Sequence, residues 1–250
     1  MAIYLKNNKE LGLLRTAGRI LAEIVSELEQ HVTEGISTGE LDQQALDLCK
    51  KNNVIPAFTG YNGYPKVLCT GVNDVAVHGI PSYEEVLKNG QIVSLDMGII
   101  YQGFYSDYAV TVPVGKVDNQ GIKLIEVTKL ALQAAINNAV AGKNIGDLGY
   151  VMEQIARLSG FNVIKVMVGH GIGRKLHEEP EIPCFGRRGT GIKLLERMTL
   201  AIEAMINEGS SEITFEKDNW TTRTKDGKRS AIFEHTVVVG KEKAEILTEI

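Results

Sequence analysis

Apolar residues in the first stretch of the chain recur at three- and four-residue steps: Leu11, Leu14, Gly18, Leu21, Ile24, Val25 and Leu28. That period places them on one face and predicts an amphipathic helix over residues 8–31. Gly35 reads as its stop. Ser37-Thr38-Gly39-Glu40 sets a serine three residues ahead of an acid, the capping-box pattern that opens a helix. The second helix runs to about Asn52, with Leu41, Ala45, Leu48 and Cys49 inward. Residues 54–91 alternate short β-prone runs with Gly, Pro and Asn turns. Residues 92–112 form two β-branched and aromatic runs joined at Gln102-Gly103, a hairpin signal. A helix with Ile122, Ile125, Leu130, Leu132, Ala135, Ile136 and Ala139 follows over 120–141, and another from Asn144 to Gly160. Strands are expected over 162–168, 196–206 and 231–239. The intervening 207–230 is polar and turn-rich but contains Trp220.

An internal echo runs through this order. Gly35-Ile36-Ser37-Thr38-Gly39-Glu40-Leu41 and Gly142-Lys143-Asn144-Ile145-Gly146-Asp147-Leu148 share the pattern Gly-x-x-x-Gly-acid-Leu. In each case a long helix precedes it, a shorter helix follows, and strands come after. The echo predicts two related halves about a pseudo-two-fold axis, with any shared site where their sheets meet. No linker-like composition separates the halves, so residues 1–250 read as one domain of the α+β class.

Composition narrows the function classes. At 250 residues, 44% hydrophobic and 23% charged, the chain matches a globular protein with a sizeable core. A net charge of −4 argues against a nucleic-acid footprint. The three widely spaced cysteines, Cys49, Cys69 and Cys184, suit a reducing compartment rather than a disulfide framework. No apolar run is long enough for a membrane span, and no secretory leader is apparent. The expectation is a cytoplasmic protein with no membrane or nucleic-acid partner.

The candidate chemistry begins in the hairpin. With a two-residue loop, Asp107 faces Gly98 and Asp96 faces Ala109. Side chains alternate faces, so Asp96 and Asp107 become diagonal neighbours roughly 7–8 Å apart at the backbone. Gly98 between them leaves room for close approach. Like charges this near need a cation or a raised pKa. Two readings stand: a solvent-facing side of an edge hairpin, or a metal-bridging pair.

Three further stretches carry hard ligands. Gly169-His170-Gly171 brackets a histidine with glycines, and Glu203 and Glu234 each sit inside an apolar run. An acid there is costly unless paired or metal-bound. Singly, His170 reads as a hydrogen-bonded core histidine, and Glu203 and Glu234 as edge acids or partners of Arg174 or Arg187. Together they make two Asp, two Glu and one His at sheet positions, drawn from both halves.

In this order and spacing, Asp96, Asp107, His170, Glu203 and Glu234 resemble the metallopeptidases of the pita-bread fold, and within them the type I methionine aminopeptidases. Asn73-Asp74-Val75-Ala76-Val77-His78-Gly79-Ile80-Pro81, Gly169-His170-Gly171-Ile172-Gly173-Arg174-Lys175-Leu176-His177-Glu178-Glu179-Pro180 and Phe233-Glu234-His235-Thr236 carry the likeness over nearly the whole chain. The interval from His170 to Glu203 lacks the helical insertion of type II enzymes. No N-terminal domain of the aminopeptidase P or prolidase kind, and no N-terminal zinc-binding extension, is expected. The resemblance implies a central antiparallel sheet covered by helices. It implies two divalent ions (Co, Mn, Fe or Zn), with Asp107 and Glu234 bridging, His170 and Glu203 on one ion and Asp96 on the other. Glu203 is the implied proton shuttle, and His78 and His177 contact substrate. Phe58, Tyr61, Tyr64, Cys69, Leu176 and Trp220 form the implied methionine pocket. The expected substrates are N-terminal methionine peptides and nascent chains with a small second residue, met by a monomer that associates with the ribosome. Departures from the family pattern are Tyr105-Ser106 before Asp107, Ala201 and Ala204 around Glu203, and Leu176 for a phenylalanine. They bear on rate, metal preference and pocket shape.

Overall fold

The computed structural model describes residues 3–250. The first part of the chain forms α1 (Asn8–His31), α2 (Thr38–Lys51), β1 (Ile55–Pro56), β2 (Cys69–Val72), β3 (Val75–Val77), β4 (Ile92–Tyr101) and β5 (Phe104–Pro113). The second forms α3 (Asn119–Asn138), α4 (Ile145–Leu158), β6 (Asn162–Val163), β7 (Val168–Gly171), β8 (Glu178–Pro183) and β9 (Thr199–Asn207). It ends with β10 (Ile213–Phe215), β11 (Thr222–Thr224), β12 (Ser230–Val238) and β13 (Glu245–Ile246).

Both helices of the echo open with an acid that reaches back to the backbone of the residue three before it. Ser37 Oγ accepts from Glu40 N at 3.2 Å while Glu40 Oε2 accepts from Ser37 N at 2.8 Å. Asp147 Oδ2 likewise accepts from Asn144 N at 2.8 Å. The second glycine of each echo lies against a neighbouring backbone: a β-carbon on Gly39 would meet Tyr83 N at 2.7 Å, and one on Gly146 would meet Arg187 O at 2.4 Å. The shared pattern therefore encodes a cap and a close approach, used twice.

The main sheet is antiparallel, in the order β1-β4-β5-β12-β9-β7-β8, with β2 also on β4, β13 on β12 and β6 on β9. The halves meet at β5 and β12, where Glu234 lies opposite Ala109. One face of the sheet is covered by α1 against β4 and β5 and by α3 against β9 and β12. There Leu21, Val25 and Leu28 join Leu95 and Met97, and Leu124, Ala131 and Ala135 join Ile202 and Ala204 in one apolar core. Fully burying each such side chain contributes roughly 1.5–3 kcal/mol. A small second sheet, β10-β11-β3, flanks the opposite face. Among the described residues no helix is long and apolar enough to cross a membrane.

Three local expectations change. The strand predicted over 162–168 is two pieces: Val163 pairs with Ile206, His170 with Ala201, and the chain leaves the β9 edge between them. The polar stretch 207–230 holds the β10–β11 hairpin, with Ile213 opposite Thr224 and Thr222 opposite Val77. Leu130 is 57% exposed, because Leu124, Val127 and Ala131 take the inward face of α3.

The caps generate a stability test. Ser37→Ala removes the acceptor for Glu40 N and lowers unfolding free energy by about 0.5–2 kcal/mol. A urea titration checks this: the midpoint should fall while the slope stays unchanged.

Candidate metal centre and pocket

The hairpin has the expected register. Gln102 and Gly103 both adopt positive φ, 47° and 83°, as a two-residue type I′ turn requires. Asp96 then pairs with Ala109 and Gly98 with Asp107. Strand alternation sends Leu95 and Met97 to the helix-covered core and leaves Asp96 and Asp107 on the other face. Across the seam, Thr236 locks the backbone of Asp107: its Oγ1 accepts from Asp107 N at 2.9 Å and donates to Asp107 O at 2.8 Å.

The second half supplies the remaining groups. β12 sets Glu234 directly opposite Glu203 of β9, and β7 brings His170 beside Ala201. A β-carbon on Gly171 would fall 2.2 Å from Glu179 O, so only glycine lets β8 pack this closely beside His170. His170 Nε2 lies 3.6 Å from Glu203 Oε1 and 3.9 Å from Asp107 Oδ2. Ligand atoms of Asp107, His170 and Glu234 all lie within 4.8 Å of one another.

These groups fit a divalent metal. Asp107, His170 and Glu234 are 4%, 7% and 2% exposed, and Glu234 Oε1 has no hydrogen-bond partner. Like-charged pairs about 4 Å apart repel by about 4 kcal/mol even at an effective dielectric of 20. Burial first, and the neighbouring carboxylates second, push Asp96, Glu203 and Glu234 well above the ordinary carboxylate range. Burial pushes Asp107 up to about 7. Among the described residues no lysine or arginine forms an ion pair with any of them; Arg174 pairs with Glu10 instead, at 2.5 Å. That removes the reading of Glu203 and Glu234 as arginine partners, and the interior positions of β9 and β12 in the sheet remove the edge-acid reading.

His170 is arranged as a neutral donor. Burial, with His177 close by, lowers its pKa to about 3. Its Nδ1 lies 2.9 Å from Gly171 O. A carbonyl can only accept, so the ring proton sits on Nδ1, and Nε2 turns its lone pair toward the carboxylates. Hard oxygen ligands with one imidazole suit first-row divalent ions.

Beside the carboxylates lies a cavity of about 160 Å³. That is well under the ~300 Å³ lower bound of sites for drug-sized ligands, so it holds a single side chain. The expected pocket residues Phe58, Tyr61, Tyr64, Cys69, Leu176 and Trp220 all line it, as do His78 and His177. Phe58 and Tyr64 meet edge to face at 6.5 Å, and Tyr64 and Trp220 at 5.0 Å. Gly98 makes the space, since a β-carbon there would strike Phe58 Cε1 at 2.8 Å. Asn62 also lines the cavity, and Ile172 and Tyr105 pack into its wall. Sequence reasoning missed these three. Asn62 was within reach, because it lies between Tyr61 and Tyr64 in the same turn, at φ 48°. Tyr61 Oη lies 2.5 Å from His177 Nδ1. Burial lowers the pKa of His177, and it lowers that of His78 to about 4, so both rings are neutral near pH 7.

The raised carboxylate pKa values give a signed pH dependence. Without metal, the folded state holds protons that the unfolded chain releases between the ordinary value, about 4, and the folded value, about 7 for Asp107. Stability from this cluster is thus lost as pH rises through that window. Metal binding displaces those protons, so Mn²⁺ affinity should rise by about tenfold per pH unit for each proton displaced. Melting curves with Mn²⁺ and with a chelator, at pH 5 and pH 8, measure it. The metal-induced gain should be larger at pH 8; a gain independent of pH would contradict the buried carboxylate cluster.

Comparison with known proteins gives the same answer. A model of metallopeptidase family M24 matches residues 12–241. Methionine aminopeptidase 1 of Bacillus subtilis is 42% identical over 248 residues, covering 99% of this chain and 100% of that one. Methionine aminopeptidase of Clostridium perfringens is 44% identical over 249 residues, covering 99% of each. The crystal structure of methionine aminopeptidase from Thermotoga maritima superposes with a TM-score of 0.98 at 42% identity, covering both chains fully. Prolidase from Pyrococcus horikoshii shares the fold alone, with a TM-score of 0.80 at 22% identity over 98% of this chain and 63% of that one. The central antiparallel sheet with its helices is the pita-bread fold, and the chain belongs to metallopeptidase family M24.

Proposed function

We propose that this protein removes the N-terminal methionine from nascent proteins and peptides, with two divalent ions and a preference for a small second residue. The observation that carries the reading is the juxtaposition of four carboxylates and one neutral imidazole with a small cavity sized for one side chain. Asp107 and Glu234, from the two central strands, would bridge the ions. His170 and Glu203 would complete one and Asp96 the other. Mn²⁺, Fe²⁺, Co²⁺ and Zn²⁺ all suit this set. When bound, such ions bring the pKa of water toward neutrality and polarise the scissile carbonyl.

The chain's own residues do the rest. The aromatic and apolar wall takes the methionine side chain and excludes water. Glu203 takes a proton from the attacking water and passes it to the leaving amine. Tyr61 Oη lies at His177 Nδ1; in the tautomer in which the hydroxyl donates, the ring proton of His177 is on Nε2 and can donate to the carbonyl oxygen as charge develops there. His78, held edge to face 6.2 Å from Trp220, contacts the substrate from the other side. One domain spanning residues 1–250 suffices, and a monomer suffices, because every group named comes from one chain. The cytoplasm, where nascent chains leave the ribosome, is the matching compartment, and the three cysteines are unpaired thiols.

Release of methionine from Met-Ala-Ser and Met-Lys-Ser peptides tests the reading. Chelation should abolish release, Mn²⁺ or Co²⁺ should restore it, and Met-Ala-Ser should be the faster substrate. Full activity after metal removal would overturn the metal mechanism, and equal rates on the two peptides would overturn the narrow rim. The two histidines separate by calorimetry. His177→Ala should keep its Mn²⁺ and lose about 10²–10³ in turnover, the effect of losing one oxyanion donor. His170→Ala should lose Mn²⁺ affinity. The reverse pattern would exchange their roles.

A further inference from the structure

The segment ahead of α1 crosses the loop between β7 and β8, which carries Leu176 and His177. Lys6 is 2% exposed there, and its ammonium donates to Glu178 Oε2 at 2.6 Å. Glu178 Oε1 accepts from Arg174 N at 2.6 Å and from Lys175 N at 3.1 Å. Arg174 reaches back to Glu10 Oε1 from Nε at 3.0 Å and Nη2 at 2.5 Å, and Glu10 in turn caps Asn7. The Lys6 stem lies flat on Gly173, where a β-carbon would fall 2.3 Å from Lys6 Cε. From the opposite side, Tyr105 N donates to Gly173 O at 2.7 Å. Residues 172–178 are therefore gripped between the N-terminal segment and β5.

Stability alone does not account for this pair. Taking an ammonium and a carboxylate out of water is expensive, and an apolar pair of similar volume often serves a fold as well or better. What an apolar pair cannot do is accept two backbone N–H bonds in the turn that precedes His177. We propose that Lys6 and Glu178 are positioning residues for His177: the buried ion pair fixes the Glu178 carboxylate, and that carboxylate fixes the turn that aims the imidazole at the cavity. Neither residue lines the cavity beside the carboxylates. The inference deepens the proposed function and rests on its reading of His177.

The test replaces both charges at once, so that no orphan charge is buried, in the metal-loaded protein. Lys6→Met/Glu178→Met should fold and bind Mn²⁺ as the wild type does. Its kcat on Met-Ala-Ser should fall by about 10–10², the scale expected for a small misplacement of a reacting group, with KM little changed. Amide exchange over residues 174–178 should quicken by about tenfold, following the loss of charge-assisted bonds. Lys6→Arg, which keeps the pair, should retain slow exchange. In a His177→Ala background the paired replacement should cost no further turnover, because residues acting through one group are non-additive. An undiminished loss in that background, a loss matched by weaker Mn²⁺ binding, or unchanged exchange would each overturn the proposal. Exchange needs no turnover, so a wild type that released no methionine would sink the functional reading while the grip on the loop was still judged.

Discussion

Four carboxylates drawn together, two of them buried and two half-buried, are the constraint on which the rest of this structure depends. Asp96 and Asp107 arrive on one hairpin, Glu203 and Glu234 on a facing strand pair, and β5 and β12 lie side by side. Left to themselves the charges would force the strands apart or take up protons. The apolar core under the opposite face holds the strands in place, and its helices α1 and α3 come one from each half. The two faces of one sheet thus do opposite work: one supplies the burial that stabilises the fold, and the other concentrates negative charge for a cation to neutralise.

The same alternation explains why the pocket sits where it does. Side chains that share a face with Asp96 and Asp107 are small or absent at Gly98, Ala109 and Ala201, so Phe58, Tyr64 and Leu176 can close over the carboxylates. Most of the positions read in the sequence as departures from the family pattern lie around the site, and none displaces a candidate ligand. Tyr105 ties its backbone to Gly173, Ser106 Oγ donates to Thr236 Oγ1 at 3.4 Å, and Leu176 lines the cavity. Ala204 faces the helix-covered core. Tyr105, Ser106 and Leu176 therefore bear on the shape and polarity around the candidate ligands, and Ala204 on the packing beneath them.

Much of this was legible in the chain because it is local. The period of Leu14, Leu21 and Leu28 specifies α1, whose bounds fall at Asn8 and His31 as predicted. Ser37 with Glu40 marks the start of α2. Gln102-Gly103 signals a two-residue turn, and once that turn forms, a side-chain period of two makes Asp96 and Asp107 diagonal neighbours. The echo likewise pointed to a site at the seam, since equivalent halves can share one only where they touch.

The tertiary structure decided what depends on partners distant in the chain. No periodicity says that β12 will lie between β5 and β9, and only that order sets Glu234 against Glu203 and leaves its Oε1 without a partner. The break between β6 and β7 follows from where β9 ends its pairing, and the exposure of Leu130 follows from which side of α3 meets the sheet. The tautomer of His170 is set by the Gly171 carbonyl in a conformation that β8 imposes. Nothing in the local sequence marks Lys6; it is buried where the chain 172 residues away presents Glu178 to it. Local pattern encodes which face a residue takes, and only the packing of distant segments determines what that face meets.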